Sequence, residues 1–349
     1  MLKKFPIANV LRDPTHDQVN FIWHGGEPTI LPIRFYEKAL LVQARLRRPN
    51  QIITNVIQSN GTRLSPEWIK FIRNYNFGLG ISLDGPPEIH DIERIYASGR
   101  PSFQDINQNI KLLRKNRILF SVLMVIDERA LKIGPEAIFN FFIKAEINSY
   151  GLIAAMPANY PDALPNTQTH HYTDPQKMNK FLIKIYDLWK ERADPNIKIR
   201  EINGILQRLN GKSVMCTLAG KCLGKYYMID PNGDISHCDL FIGDSNYSFG
   251  NLLESSFVNI RNNKKLKHLI ESNKQDLIKM QYCDEFNTCN GWCPHERYLS
   301  IRHNPHHNQH CCGLRDLIKH IRNNMPKFIT EKNKALNTEI SLSPENTNL

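Results

Sequence analysis

Cysteine is absent from the first 215 of the 349 residues, and all eight cysteines lie between Cys216 and Cys312. No run of 18 apolar residues occurs, which excludes a membrane-spanning helix. Pro6 and Asp13 interrupt the N-terminal segment where a signal peptide would need an unbroken apolar run. We therefore expect a cytoplasmic protein with no membrane partner. In that reducing compartment, metal or cluster ligation, or catalysis, is favoured for the cysteines over structural disulfides.

The overall composition is that of a globular chain. With 41% hydrophobic and 23% charged residues, it can bury a full core, which excludes a disordered protein and a small disulfide-stapled one. Lys and Arg outnumber Asp and Glu by 45 to 34, a net charge of +11, but the basic residues are scattered and form no long run. This pattern favours a basic solvated surface over a nucleic-acid partner.

Residues 19–156 alternate short β-rich runs with longer amphipathic segments. Such alternation predicts a parallel sheet with right-handed crossovers, either a barrel or a doubly wound sheet. The predicted strands are Val19–Trp23, Ile52–Gln58, Phe77–Ser82, Leu119–Ile126 and Gly151–Met156. The predicted helices are Arg34–Arg47, one opened by Ser65 and Pro66, Ser102–Lys115, Pro135–Glu146, Thr173–Arg192, Arg200–Leu209 and Leu314–Met325.

Polar, glycine-containing segments follow three successive predicted strands. Each alone is ordinary turn chemistry. Both architectures, however, place their chemistry at the carboxyl ends of the strands, so three such segments at consecutive strand ends indicate a site. They are Trp23-His24-Gly25-Gly26-Glu27-Pro28, Gln58-Ser59-Asn60-Gly61-Thr62 and Ser82-Leu83-Asp84-Gly85-Pro86.

The cysteines are spaced closely enough to surround a metal centre. Thiolates at such spacings bind iron–sulfur clusters or structural zinc. No C-x2-C pair occurs, which makes a zinc ribbon a poor fit, and Gly, Thr, Lys and Asn neighbours indicate loops rather than a buried core. The pattern reads Cys216-x5-Cys222, then Cys238, then Cys283-x5-Cys289-x3-Cys293, then Cys311-Cys312.

Together the three strand-end segments, with Thr29 after the first and His90-Asp91 and Arg94 after the third, and the spaced cysteines resemble the radical S-adenosylmethionine (SAM) enzymes with a C-terminal SPASM domain. The likeness is greatest to anaerobic sulfatase-maturating enzymes and related peptide maturases, and it covers roughly residues 15–315.

The resemblance implies a SAM site at the strand ends. Gly25 and Gly26 would let the backbone approach the methionine moiety of SAM, because a Cβ there would block close contact. Glu27 would accept hydrogen bonds from the α-ammonium group. Ser82 and Arg94 would bind the ribose and carboxylate region. Two further residues, Gln58 and Asn60, would line the same surface.

The resemblance also implies two auxiliary [4Fe-4S] clusters. Asp239 occupies the position of the carboxylate proposed as general base in sulfatase maturation, where it would take a proton from the substrate radical. The first cluster would be held by Cys216, Cys222, Cys238 and Cys293, and the second by Cys283, Cys289 and Cys311.

The sequence departs from the family pattern in two places. The C-x3-C-x2-C loop that holds the SAM-cleaving cluster is missing, since no cysteine precedes Cys216, so this chain does not support that cluster and we expect no 5′-deoxyadenosine from it. We favour a truncated reading frame, by start-site misassignment or genetic lesion, over a member evolved to work without the cluster. Second, Met280 stands where a ligand of the second auxiliary cluster is expected; either Cys312 compensates or one iron is open or differently ligated.

The expected fold is therefore α/β: a partial (β/α) barrel of radical SAM type lacking its first strand, followed by a cysteine-rich SPASM domain. We place the barrel in residues 1–212, the SPASM-like domain in 213–325 and a polar tail in 326–349. The implied partners are a protein or peptide substrate and a flavodoxin- or ferredoxin-type electron donor. The reaction would be formylglycine formation in a sulfatase or cross-linking of a precursor peptide. The rival hypothesis is a non-catalytic iron–sulfur or zinc protein that carries electrons or binds peptides.

Overall fold

The computed structural model describes residues 6–157, 172–212, 216–220 and 222–326. The predicted tail therefore lies outside the described residues, apart from its first position. The N-terminal part is a six-stranded parallel sheet whose neighbouring strands are consecutive in the chain. Its strands are β1 (Gln18–Trp23), β2 (Ile52–Ser59), β3 (Gly78–Ser82), β4 (Ser121–Ile126), β5 (Ser149–Ala154) and β6 (Lys198–Ile199).

The consecutive strand order decides between the two predicted architectures. In a doubly wound sheet the order reverses near the middle, whereas an order from β1 to β6 without reversal is the winding of a barrel. Among the described residues β1 and β6 each pair with one neighbour only, so the barrel is partial. The fold class predicted from the sequence is confirmed.

Helices cover one face of this sheet. Local signals set several of their starts: the Ser65 side chain accepts a hydrogen bond from the Trp68 amide at 3.4 Å, and Pro66 takes the first helical position. The helices are α1 (Pro6–Leu11), α2 (Ile33–Leu46), α3 (Pro66–Asn74), α4 (Pro87–Glu93), α5 (Phe103–Lys115), α6 (Glu128–Ile133), α7 (Pro135–Lys144), α8 (Pro175–Arg192) and α9 (Arg200–Leu209).

The two faces of the sheet differ in burial. Ile57, Ile81 and Val122 are fully buried against the helices and belong to the main core. On the opposite face of the first two strands, Ile22 is 59% exposed and Ile52 55% exposed. The face of β1 and β2 that points away from the helices is therefore exposed at these two positions.

The C-terminal part is a small antiparallel sheet followed by helices and loops that carry the cysteines. Its elements are β7 (Met228–Ile229), β8 (Asp234–Ser236), β9 (Ser248–Asn251), α10 (Phe257–Arg261), α11 (Lys264–Met280), α12 (Phe286–Cys289), α13 (Pro294–His303) and α14 (Arg315–Asn323).

Two hydrophobic cores join these parts. The main core includes the sheet and also takes Leu317 and Ile321 of α14, which packs against α8. A smaller core forms around Ile235 and Phe249 of the antiparallel sheet, and Val10 of α1 packs against it. Each part of the chain thus contributes a helix to the packing of the other.

The predicted strands and helices match observed elements to within a few residues at their ends. The short elements α4, α6 and β6 have no counterpart among the predictions, because so few residues carry too little periodicity to recognise. The elements between residues 213 and 313, from β7 to α13, were not predicted either, although α11 is 17 residues long. No helix among the described residues is both long and apolar enough to cross a membrane.

Candidate functional site

The Glu27 carboxylate lies between the loops that follow β1 and β2. Its Oε1 accepts hydrogen bonds from the Thr29 amide at 2.9 Å, the Thr29 hydroxyl at 2.5 Å and the Ser59 hydroxyl at 2.8 Å. Its Oε2 accepts one from the Asn60 amide at 2.7 Å. A carboxylate oxygen has two lone pairs, so Oε2 retains capacity for a further donor.

The backbone before Glu27 requires glycine. Gly25 and Gly26 have φ values of +81° and +52°, a region that side chains with a Cβ rarely adopt. A Cβ on Gly25 would lie 3.7 Å from the Met228 Cε atom of β7, while one on Gly26 would meet nothing within 4 Å. The surface beside Gly26 is therefore open for another molecule.

Gln58 and Ser82 come together on the next two strands. The Gln58 side-chain amide donates to the Ser82 hydroxyl at 3.2 Å. The Gln58 side chain lies over Gly80 of β3, where a Cβ would clash with the Gln58 side-chain amide. The side chain of Asn60, by contrast, caps its own turn by accepting hydrogen bonds from Thr62.

Arg94 forms an ion pair with Asp84, just beyond the end of β3. Asp84 also accepts a hydrogen bond from the Val125 amide at 2.8 Å and so ties β3 to β4. Its own amide donates to Nδ1 of His90 at 3.1 Å, and Nε2 of His90 faces the Ser102 hydroxyl at 3.0 Å. This network holds the guanidinium of Arg94 at the carboxyl end of the sheet.

Four cysteines form a first set: Cys216, Cys222, Cys238 and Cys293. Burial raises the pKa of all four thiols, that of Cys222 to about 11. The charge of Cys216 adds to the increase in each of the other three, which requires it to lie near them all. The structure therefore brings together the four residues predicted for one cluster.

Close loop packing produces this set. A Cβ on Gly220, between Cys216 and Cys222, would lie 2.5 Å from the Asn290 carbonyl oxygen. Asn290 in turn donates to the Leu218 carbonyl at 2.8 Å. The loop before Cys222 is thus pressed against the turn that leads to Cys293.

Asp239 is exposed and begins the turn after Cys238. Its Oδ1 accepts a hydrogen bond from the Cys238 thiol at 3.0 Å. His237 and His295 lie close enough for the Asp239 charge to raise their pKa values, although burial outweighs this and lowers both, that of His295 to about 4. The only carboxylate predicted as a base thus borders the first set of thiols and faces solvent.

The other four cysteines form a second set: Cys283, Cys289, Cys311 and Cys312. The Cys312 thiol hydrogen-bonds to those of Cys289 and Cys311, and Cys311 also hydrogen-bonds to Cys283. The contact with Cys312 lowers the pKa of Cys311 to about 6. The sequence predicted three of these four as ligands of the second cluster. For the fourth position it left two alternatives, Cys312 or an iron that is open or differently ligated.

The number of thiols in each set fits an iron–sulfur cluster. No three His, Cys, Asp or Glu side chains within the described ranges are arranged to hold one metal ion. An iron–sulfur cluster differs in that each thiolate binds a different iron, so its ligands lie further apart. All eight cysteines are free thiols, and each set supplies the four sulfur donors that a [4Fe-4S] cluster takes.

Two charged residues beside these sets were missed by the sequence reasoning. Arg297 is buried, donates to the Trp292 carbonyl at 3.0 Å, and lies near cysteines of both sets. Burial raises the pKa of Glu296 to about 7, while the charge of Arg200 opposes the increase. The only available signal was their position in the first turn of a helix opened by Cys293 and Pro294.

Two family comparisons match different parts of the chain. Residues 7–129 match the Radical SAM superfamily, and residues 210–290 match the SPASM iron-sulfur cluster-binding domain. The first match covers β1 to β4 with their strand-end loops, and the second covers most of the cysteine-bearing part.

Individual relatives match over most of the length. The chain is 30% identical over 335 residues to the serine-type anaerobic sulfatase-maturating enzyme of Bacteroides thetaiotaomicron, covering 92% of this chain and 80% of that enzyme. It is 31% identical over 278 residues to the cysteine-type enzyme of Clostridium novyi, covering 78% and 72%. The solved structure of native anSMEcpe with bound AdoMet and the Kp18Cys peptide superposes with a TM-score of 0.79 at 23% identity, covering 95% of this chain and 90% of that one.

Proposed function

Because the chain belongs to the radical SAM enzymes with a SPASM domain, and within them to the anaerobic sulfatase-maturating family, we propose that its site serves the oxidation of a sulfatase serine or cysteine to formylglycine. The observation that carries the proposal is the pairing of two four-cysteine sets with a glycine-rich strand-end surface in one chain. Serine-type and cysteine-type relatives are about equally similar, so both target residues belong to the proposal.

We assign the strand-end surface to SAM. Oε2 of Glu27 would accept from the α-ammonium group, with Gly25 and Gly26 allowing close approach. Ser82, positioned by Gln58, would contact the ribose, and Arg94 would attract the carboxylate. Asn60 would contribute its backbone, since its side chain is committed to its own turn. Residues 1–212 would thus form the SAM part and 213–325 the cluster part.

The chemistry is a two-electron oxidation of the substrate side chain. From serine it would give the aldehyde directly; from cysteine it would give a thioaldehyde, which water would hydrolyse to the aldehyde with release of hydrogen sulfide. When bound, SAM and its reducing cluster would supply the radical that removes one hydrogen atom, and the auxiliary clusters would accept one electron. Asp239 would take the accompanying proton, because it is exposed and borders the first thiol set. The first cluster would be held by Cys216, Cys222, Cys238 and Cys293, the second by Cys283, Cys289 and Cys311 at least. A flavodoxin- or ferredoxin-type protein would deliver electrons.

The missing C-x3-C-x2-C segment limits what these 349 residues do alone. With no cysteine before Cys216, the chain would hold the two auxiliary clusters and SAM but would make no 5′-deoxyadenosine. Cleavage of SAM would need three further thiolates, which the residues before Cys216 do not supply.

The test compares two proteins after anaerobic reconstitution: the 349-residue chain, and a chimaera in which the cysteine-loop segment of the Bacteroides relative precedes Gln18. Each receives SAM, dithionite and a sulfatase peptide carrying the target serine or cysteine. We expect 5′-deoxyadenosine and peptide aldehyde, measured by mass spectrometry, from the chimaera only. Cys216→Ala should lower the iron content of either protein.

Matched variants of the chimaera separate SAM binding by Glu27 from proton removal by Asp239. Glu27→Gln should weaken SAM binding tenfold or more, because a hydrogen bond to a charged group contributes roughly 1.5–3 kcal/mol. Thr29→Val, which removes one contact to Glu27 but keeps the carboxylate, is the control. Asp239→Asn should spare 5′-deoxyadenosine and abolish aldehyde. A chimaera that makes 5′-deoxyadenosine but oxidises neither peptide would refute the sulfatase proposal, and 5′-deoxyadenosine from the 349-residue chain would refute the restriction to auxiliary clusters.

A further inference from the structure

The Cys312 thiol makes the same kinds of contact as the thiols of Cys289 and Cys311 in the second set. Its thiol contacts those of Cys289 and Cys311. A backbone amide donates to the sulfur two residues earlier in three cases: Gly291 to Cys289 at 3.3 Å, Gly313 to Cys311 at 3.5 Å, and Leu314 to Cys312 at 3.5 Å. Such N–H···S bonds stabilise negative charge on sulfur and accompany cluster thiolates. The Cys312 sulfur therefore accepts the same kind of backbone hydrogen bond as the sulfurs of the two predicted ligands, Cys289 and Cys311.

Contacts on both sides hold the Cys311-Cys312 pair against the turn that bears Cys283. On one side Nδ1 of His310 lies 3.0 Å from the Lys279 carbonyl, so it donates there. On the other, the Arg315 guanidinium pairs with Asp284 at 2.9 Å. These anchors come before and after the cysteine pair, which fixes both sulfurs near the end of α11.

Met280 is the competing candidate for the fourth position. It is the last residue of α11 and is 4% exposed, and its carbonyl accepts from the Cys283 amide at 3.0 Å. Its thioether is neutral and cannot supply the negative charge that a thiolate brings to an iron–sulfur centre. With Cys312 counted, the eight cysteines divide into two sets of four and none is left over.

We propose that Cys312 is the fourth ligand of the second auxiliary cluster and replaces the cysteine that this chain lacks at position 280. The proposal rests on the proposed function only in that the second cluster must exist. It assigns the chain a fully thiolate-ligated cluster through two adjacent cysteines.

The first experiment uses the reconstituted wild-type chain. Native alkylation with iodoacetamide, read by mass spectrometry, should leave Cys312 unmodified in the cluster-loaded protein and modified in the metal-free protein. Alkylation of Cys312 at full iron loading would overturn the proposal.

The second experiment compares Cys312→Ala with Met280→Leu, which removes the thioether while keeping the volume of the side chain. Wild type and Met280→Leu should each hold about eight irons. Cys312→Ala should either drop to about four or, after mild oxidation, show the electron paramagnetic resonance signal of a [3Fe-4S] cluster, because an iron without a thiolate is readily lost. Unchanged iron and spectra in Cys312→Ala, with a change in Met280→Leu, would assign the position to Met280 and overturn the proposal.

Cys283→Ala separates this proposal from the one it rests on. If wild type holds only about four irons and Cys283→Ala leaves that number unchanged, then the second cluster itself does not form and both proposals fail. If Cys283→Ala removes iron but Cys312→Ala does not, the cluster stands and only the role of Cys312 is refuted. Size-exclusion chromatography verifies folding of each variant.

Discussion

Two of the predicted ligands have a backbone conformation that non-glycine residues avoid. Cys216 and Cys238 have φ values of +21° and +55°. In the segment just before Cys293, Asn290 and Trp292 have φ values of +49° and +62°. Residues held in such conformations cluster at functional sites, because the surrounding structure must hold them there. These unusual backbone conformations set the directions of the Cys216 and Cys238 thiols.

His90 is the residue whose protonation the fold constrains most clearly at the SAM surface. It is fully buried, and because Nδ1 accepts from the Asp84 amide, Nε2 must carry the proton and donate to the Ser102 hydroxyl. Burial lowers its pKa to about 4. The neutral ring keeps Asp84 and Arg94 in place.

We predict a pH dependence of stability from this residue. Its folded pKa lies below the unfolded value of about 6.5, so between these values the unfolded chain binds the proton first and stability falls as the pH decreases. The loss from His90 should reach roughly 3 kcal/mol by pH 4. Denaturant unfolding at several pH values gives the free energy of unfolding as a function of pH. Between about pH 4 and about pH 6.5 this free energy should fall less steeply with decreasing pH in His90→Gln than in wild type. An identical slope would contradict the assignment.

At the scale of elements, the decisive contacts are between loops rather than helices. The loop carrying Cys216 and Cys222 meets the turn after α12, and both Arg297 and Asn290 bond to carbonyls at that junction. Gly220 has φ of +66°, and no Cβ fits beside Asn290. The spacing of these two loops sets the size of the first cysteine set.

Gly220→Ala should therefore push the two loops apart and lower the iron content of the first cluster. The control is Gly211→Ala, at φ of +71° with nothing within 4 Å of the new Cβ. Both variants carry backbone strain of about 1–2 kcal/mol, but only the first carries a clash. Iron analysis after reconstitution should show a loss in Gly220→Ala alone; equal iron in both would mean that the loop contact is unimportant.

At the scale of the molecule, the N-terminal helix joins the parallel sheet to the cysteine-bearing part. Asp13, just after α1, has a buried side chain and forms an ion pair with Arg261 at 2.5 Å. Asn9 donates to the Leu252 carbonyl at 3.0 Å. From the other direction, α14 packs on α8, where Tyr186 donates to the Asn324 carbonyl at 2.6 Å. The two parts are thus linked at both ends.

Asp13→Ala should lower the free energy of unfolding by about 3 kcal/mol, because removing one partner leaves the other charge poorly solvated. Hydrogen exchange should rise in β7–β9 more than in β4 and β5. Glu136→Ala breaks the exposed pair with Lys184 and should cost less than about 1 kcal/mol. Equal losses in the two variants would show that the Asp13 pair does not link the parts.

Sequence reasoning predicted the strands and helices of the sheet-bearing part well, since the causes of local structure are local. Apolar periodicity, the Ser65 cap and the turn residues after each strand act within a few positions. For the same reason the motifs after β1, β2 and β3 could be placed at one sheet edge. The contacts made there could not be predicted. Glu27 accepts hydrogen bonds from the Ser59 hydroxyl and the Asn60 amide, and Arg94 pairs with Asp84, only because separate loops meet.

The sequence alone determined that this is an α/β protein with a strand-end site and eight thiols grouped near the C-terminus, because composition, periodicity and spacing are properties of neighbouring residues. Periodicity left a barrel and a doubly wound sheet open, and the strand order confirmed the partial barrel that the family resemblance implied. The tertiary structure was needed to show that Cys312 joins Cys283, Cys289 and Cys311. Strand order and the grouping of cysteines are relations between segments far apart in the chain, and long-range packing establishes them. The same packing separates Cys289 from Cys293, four residues apart in the sequence, into different sets.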